Sequence, residues 1–284
     1  MSRAVVLGGG GVAGIAWATG VAAGMARKGV DITHANAFVG TSAGSVVGAQ
    51  IASGIGLEIL LAGQLVPPSQ SRELARQYSQ SDADASNRQL MEKVRGDLTA
   101  ARRRIGAYAL RTESVSVGVR REIIGSRLPR HVWPDRMLCV VAVDVETAEH
   151  VVFDKHSGVD FVDAIAASCA VPGSWPTVPI NGRTYMDGGI RSLTNADLAP
   201  SARCVIVIAP LGYADGNPVS GHLRQEVATL RARGSHVEVI VPDAASVDAM
   251  TDNVLDPSRC APSAGAGLEQ GMRMAGPIAQ VWNM

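Results

Sequence analysis

Apolar residues fall along this chain in short unbroken runs, and several of the runs stop at glycines. Residues 3–7, 37–39, 137–145, 204–209 and 236–241 each read as a strand buried on both faces, the pattern of a parallel sheet. Residues 15–28 are apolar nearly all round and end at Gly29 after Arg27 and Lys28, which predicts a helix enclosed by the fold. Further helices are predicted over the small residues 43–53, over 161–168, over 223–233, and in two pieces at 268–274 and 277–282. Asn181-Gly182 between residues 178–180 and 183–186 is a strong hairpin signal, and 151–153 reads as a hairpin partner of the strand before it. The first strand, a glycine loop over residues 8–14, the first helix and the second strand make a βαβ unit, whose crossover is right-handed. If its two strands are neighbours, the loops that follow them share one carboxyl edge.

The pattern changes between residues 65 and 130. Val66-Pro67-Pro68-Ser69 reads as a linker, and residues 71–79, 86–104 and 108–128 have helical composition. From Arg72 to Arg130 there are 13 basic and 7 acidic residues, a local excess of six on a chain whose formal net charge is zero. The plain reading is a set of solvated helix faces. The sharper one is a cap that covers the active site or docks on an anionic surface. The chain therefore reads as one domain over residues 1–284 with a helical, Arg-rich insertion at about 66–130.

Composition narrows the picture. Hydrophobic residues make up 46% and aromatics 4%, so a full core must be built from Ala, Val, Leu and Ile. Zero net charge gives no reason to expect a nucleic-acid partner. Cys139, Cys169, Cys204 and Cys260 lack metal-ligand spacing and read as free thiols in a reducing cytosol. Residues 4–26 carry no charge, but Gly8 to Gly11 would break a spanning helix or the centre of a signal peptide. A cytoplasmic protein without metal or cofactor is expected.

The candidate chemistry centres on Gly40-Thr41-Ser42-Ala43-Gly44, a G-x-S-x-G turn between a strand and a helix. Such an elbow presents a serine hydroxyl on a sharp corner. The hydroxyl needs a base to take its proton and donors for the oxyanion formed on attack. Gly9, Gly10 and Gly11 have no side chains to obstruct their N–H groups, and the N–H of Ala43 is a further donor. The same loop also fits a dinucleotide fingerprint, Gly9-x-Gly11-x-x-Gly14 with Asp31 further on, although Asp31 does not end an apolar strand. That pattern leaves a Rossmann-type oxidoreductase as an alternative. Six histidines (His34, His131, His150, His156, His222 and His236) are candidate bases, and His222 and His236 follow Asp187 in the serine–acid–histidine order of an α/β-hydrolase, but that fold places its elbow after several strands rather than after the second. Asp187 ends a strand and precedes Gly188 and Gly189, which permit close packing against a substrate or the elbow.

Taken together, these blocks resemble the patatin-like phospholipase family. Gly9-Gly10-Gly11-Val12-Ala13-Gly14 resembles its oxyanion loop, and Gly40 to Gly44 its elbow. Ala167-Ser168-Cys169-Ala170-Val171-Pro172-Gly173 with Trp175-Pro176 resembles its A-S-x-A-x-P-G…P block, and Asp187-Gly188-Gly189 its D-G-G motif. The resemblance implies a three-layer α/β/α sandwich with a mostly parallel sheet, and a lipid acyl hydrolase with Ser42 as nucleophile and Asp187 as general base. It implies an oxyanion hole from Gly9, Gly10, Gly11 and Ala43, with Gly14, Gly40, Gly44, Gly188 and Gly189 in support. The implied partner is a lipid ester, and the basic insertion adds peripheral contact with an anionic membrane surface. A catalytically silent lipid-binding module is the remaining alternative. One position departs from the pattern: where the family often carries Lys or Arg in the glycine loop, this chain has Ala13.

Overall fold

The computed structural model describes residues 2–66 and 72–282. Its sheet contains β1 (Arg3–Leu7), β2 (Ala37–Thr41), β3 (Met137–Asp144), β4 (His150–Phe153), β5 (Val178–Ile180), β6 (Arg183–Asp187), β7 (Cys204–Ile208) and β8 (His236–Ile240). Pairing follows the order β5-β6-β3-β2-β1-β7-β8, with β4 also on β3. The run β3-β2-β1-β7-β8 is parallel, and β4, β5 and β6 join antiparallel.

The central strands are apolar at nearly every position, Arg3 and Thr41 at their ends excepted, because both faces are covered. On one face Val5, Leu7, Phe38, Leu138, Ile206 and Ile208 pack with α1 (Gly11–Arg27), α2 (Ala43–Ala52), α7 (Phe161–Ser168) and α10 (Cys260–Trp282). On the other face Ala4, Val6, Val39, Val205 and Val207 pack under α8 (Leu223–Ala232) and the segment 196–202. The result is the expected three-layer α/β/α arrangement around a mixed, mostly parallel sheet.

The uncharged N-terminal run is explained by α10. A Cβ on Gly20 would overlap the Ala264 carbonyl, and one on Gly267 would overlap that of Trp17. The two helices thus meet backbone to backbone, and Trp17 Nε1 donates to Gln270 Oε1 at 3.2 Å across the contact. Helix α1 is apolar all round because the sheet and α10 enclose it. Among the described residues no helix is long and apolar enough to cross a membrane.

Strand register places the chemistry. Successive backbone N–H groups of a strand point to opposite edges. Val145 N–H donates to Thr184 O beside β6, whereas Asp144 N–H donates to Glu149 O beside β4. β4 and β6 therefore flank β3 on opposite edges. β2 pairs with β3 as far as Thr41↔Val141, and β6 begins on that same edge at Asp187↔Ala142, running the other way. The carboxyl ends of β2 and β6 meet head to head, so Ser42 and Asp187 are brought together although 145 positions separate them.

Several helix boundaries differ from the sequence reading. α1 starts at Gly11, not after Gly14, because Gly11 adopts φ +59 and turns the chain straight into the helix. Residues 72–79 carry no helix. The segment 86–104 is broken at Arg95 (φ 53) and Gly96 (φ 82), giving α4 (Gln80–Lys93) and α5 (Leu98–Arg111). Ser79 and Asp97 cap these helices, and Ser116 caps α6 (Val117–Arg127). α3 (Leu57–Gln64) is an additional element. α10 is one helix through Pro277, held on both sides of that residue by Gly271 against α1 and by Trp282, whose Nε1 donates to Asp31 O at 3.1 Å. Pro67 to Ser69 of the expected linker lie outside the described residues.

Candidate active site

The elbow is strained where its motif requires it. Ser42 adopts φ 53 and ψ −122 at the N-terminus of α2, a conformation that costs on the order of 1–3 kcal/mol for a residue with a side chain. Local bonds hold it: Ser42 N–H donates to Ser168 Oγ at 2.9 Å, and Ser45 Oγ donates to Ser42 O at 2.7 Å. A Cβ on Gly44 would overlap the Leu7 carbonyl, so the elbow packs directly on the end of β1; one on Gly40 would overlap Ser45.

β1 delivers the glycine loop to the same edge. A Cβ on Gly9 would stand 3.4 Å from Ser42 Cβ, so the loop lies against the serine. The four glycine-loop and elbow donors do not behave alike. Gly9 N–H is committed to Leu193 O at 2.8 Å, and Gly9 contributes close approach rather than a donor. The N–H groups of Gly10, Gly11 and Ala43 have no acceptor among the described residues, and no side chain caps α1 or α2. Three donors at two helix N-termini are therefore left at this edge, where the helix dipoles favour negative charge. Gly14 sits one turn into α1, its N–H on Gly10 O at 2.7 Å, with Pro210 too close to admit a larger residue comfortably.

Asp187 is 4% exposed. Its Oδ1 accepts the Gly189 N–H at 2.7 Å, and its Oδ2 has no hydrogen-bond partner among the described residues. Burial pushes the carboxyl up to about 7, against the opposing pull of the Ser42 hydroxyl, the Gly189 N–H and the more distant Arg120. The hydroxyl is near enough to favour the carboxylate but forms no regular hydrogen bond with Oδ2, a common geometry before substrate tightens a site. Gly188 is required because a Cβ there would overlap the Val141 carbonyl.

A cleft of about 710 Å³ opens above these groups. Ser42, Asp187 and Gly9 to Gly11 line it together with Tyr78, Leu90, Ile105, Tyr108, Pro172 and Leu255. Helices α4 and α5 thus form part of its wall, and much of that wall is apolar. No histidine lines it. His131 and His222 instead contact the carbonyls of Gly125 and Val219, and His34 pairs with Asp31. Asp31 itself accepts Thr33 N–H ahead of β2, at the amino edge of the sheet, so it is not placed as the ribose ligand of a dinucleotide site.

Sequence reasoning missed the groups that lock the two halves together. Asn195 adopts φ 51, and its Nδ2 donates to Thr41 Oγ1, Gly188 O and Ser192 O, tying the elbow to the Asp187 loop. Ser168, inside a recognised block, holds the Ser42 backbone. An Asn eight residues after the Asp of a D-G-G motif carries no local signal. Only the fold brings it to the elbow.

The family model described as Patatin-like phospholipase matches residues 5–200. A comparison with curated proteins finds no significant match. Among solved structures, the chain is similar to VipD from Legionella pneumophila at 13% identity and a TM-score of 0.46, covering 97% of this chain and 67% of that one. It is also similar to the type III effector protein ExoU at 14% identity and a TM-score of 0.42, where it spans 53% of that chain's length and is itself covered over 100%.

Proposed function

We propose that this chain, which belongs to the patatin-like phospholipase family, hydrolyses carboxylic esters of lipids with Ser42 as nucleophile and Asp187 as general base. The observation that carries the proposal is the unpartnered Asp187 Oδ2 beside Ser42, at the foot of a largely apolar cleft with three uncommitted N–H donors. Ser42 Oγ attacks the ester carbonyl carbon while Asp187 takes the hydroxyl proton. The carbonyl electrons move onto oxygen, and the N–H groups of Gly10, Gly11 and Ala43 hold the oxyanion. Collapse of the tetrahedral intermediate expels the alcohol, which leaves with the proton from Asp187. A water then attacks the acyl-serine with Asp187 again as base; the bond to Ser42 Oγ breaks, Asp187 returns the proton to that oxygen, and the fatty acid departs. No histidine is needed, because a buried carboxyl near 7 is far better matched to this task than one in water.

The pH dependence follows with a definite sign. The carboxylate is the active form, so kcat/KM should rise with pH through a midpoint near 7, the value to which burial lifts Asp187. A profile flat from pH 5 to 9 counts against Asp187 as base. The functional assignment itself is tested with p-nitrophenyl esters, phospholipid, lysophospholipid and acylglycerol, read by fatty-acid release. Release from at least one lipid class is expected. Folded protein that hydrolyses none of them and ignores a fluorophosphonate probe would instead be a silent lipid-binding module.

A lipid substrate also implies an approach to a membrane. Much of the basic excess of the insertion is committed internally: Arg127 pairs with Glu73, Arg121 with Asp160 and Asp163, and Arg102 with backbone carbonyls. Arg104, Tyr108 and Arg111 remain on α5, with Arg104 and Tyr108 at the cleft mouth and Tyr108 52% exposed. Co-sedimentation with phosphatidylglycerol vesicles is expected at low salt, and release at ~1 M NaCl, where the screening length is about 3 Å. Equal binding to neutral and anionic vesicles would sink the electrostatic contribution of this rim.

A further inference from the structure

Arg120, on α6, is 2% exposed and makes no ion pair within hydrogen-bonding distance among the described residues. Its Nη2 donates a long hydrogen bond to Cys169 O at 3.4 Å, and its guanidinium lies 3.7 Å from the Trp175 ring centroid. Its Nε and Nη1 have no hydrogen-bond partner among the described residues. A buried cation in this condition is costly unless something satisfies it. Arg127 beside it is not in this condition, because Glu73 binds it in a two-pronged pair at 2.6 Å.

Arg120 lines a small cavity of about 20 Å³ together with Gly11, Ser42, Ala43, Trp175 and the Glu73-paired Arg127. That volume admits one oxygen-sized atom and is too small for a phosphate group. Gly11 and Ala43 are two of the residues whose N–H groups lack acceptors. Arg76 also lies over Trp175 and also has unpartnered donors, but it lines neither this cavity nor the main cleft.

We propose that Arg120, supplied by the insertion helix α6, is the cation of the oxyanion site. The proposal rests on Ser42 being the nucleophile. Nε and Nη1 of the guanidinium have no acceptor among the described residues of the resting site, and an oxyanion in the adjoining cavity would supply one. The guanidinium's interaction is therefore stronger in the transition state than with the neutral ester, which is the condition for raising kcat rather than lowering KM. The charged and titratable groups that face Arg120 are Arg127 on its own helix, and Glu73, Cys169 and Asp187 from other segments. Burial and Arg127 lower its pKa to about 9, so it remains a cation at neutral pH.

The test uses Arg120→Met, which keeps the bulk and removes the charge, and Arg120→Lys, which restores a charge. Readouts are the thermal transition, kcat and KM for a p-nitrophenyl ester, the rate of fluorophosphonate labelling, and the pH midpoint. Arg120→Met is expected to keep its transition, because an unpaired buried charge has been removed. Its kcat should fall about 10²-fold with KM little changed, and Arg120→Lys should recover part of the loss. The acid midpoint of Arg120→Met should move upward, since the guanidinium favours the Asp187 carboxylate. Wild-type kcat and midpoint in Arg120→Met overturn the proposal, and so does loss of the thermal transition in both variants, which would make Arg120 a structural ion. Wild-type protein that neither labels nor hydrolyses esters defeats the Ser42 reading as well, whereas reactive wild type with unaffected Arg120→Met defeats this one alone.

Discussion

Ser42→Ala should lose all detectable fluorophosphonate labelling and at least about 10⁴-fold in ester hydrolysis while keeping its fold. The hydroxyls and thiol packed against the elbow are not poised to replace it. Ser168 Oγ holds the Ser42 backbone N–H, Ser45 Oγ is bonded to Ser42 O, and the Cys169 thiol is buried with its pKa raised by desolvation. The fold should survive because the backbone bonds that hold the elbow do not involve the Ser42 hydroxyl. Alanine at φ 53 meets the same Cβ penalty that serine already bears. The thermal transition is therefore expected within a few degrees of wild type. The measurement is a labelling gel beside a circular-dichroism melt, and full labelling of the variant would remove Ser42 from the mechanism.

Why the elbow could be read from sequence and its surroundings could not has a physical cause. Gly40, Gly44 and Gly188 sit where a Cβ would overlap backbone of a neighbouring strand or of the elbow itself, so close packing forces glycine and leaves a local signature. The parallel strands are legible for a similar reason: burial on both faces requires apolar residues at consecutive positions. The head-to-head meeting of β2 and β6 on one edge of β3 is a matter of register between distant segments, and no local pattern encodes it. Composition marks 66–130 as helical in character but does not place the helix breaks, and residues 72–79 carry no helix. The turn at Arg95-Gly96 relies on one left-handed non-glycine residue, which composition does not announce. The glycine loop is legible as a unit yet not donor by donor. Only the structure separates Gly9, whose N–H is held by Leu193, from Gly10 and Gly11. Arg120 looked like one more solvated charge, and its burial against Trp175 depends on α6 docking beside the Val171-Pro172 loop.

Asp187→Asn should lower turnover at least about 10²-fold, the scale of general-base removal, and at the same time stabilise the protein at alkaline pH. The two effects have one cause. Asp187 titrates near 7 in the folded protein, against an ordinary value of 3.8. Below about 3.8 the carboxyl is neutral in both folded and unfolded chains and costs nothing. As pH rises from there to about 7 the unfolded chain ionises first, so folding stability falls; above 7 the full cost of a buried carboxylate is present. Asparagine is uncharged throughout. Its Oδ1 can keep the Gly189 N–H, and its Nδ2 replaces an oxygen that has no hydrogen-bond partner. The melting temperature of Asp187→Asn should therefore exceed wild type by roughly 2–6 °C at pH 8, and the gap should close as pH falls toward 4. Turnover like wild type would exclude Asp187 as the base, and a gap independent of pH would show that its carboxyl is not held near 7. Ser42→Ala supplies an internal check, because it removes the hydroxyl that favours the carboxylate. In that variant the alkaline loss of stability should deepen, so the two members of the dyad should shift the pH–stability curve in opposite directions.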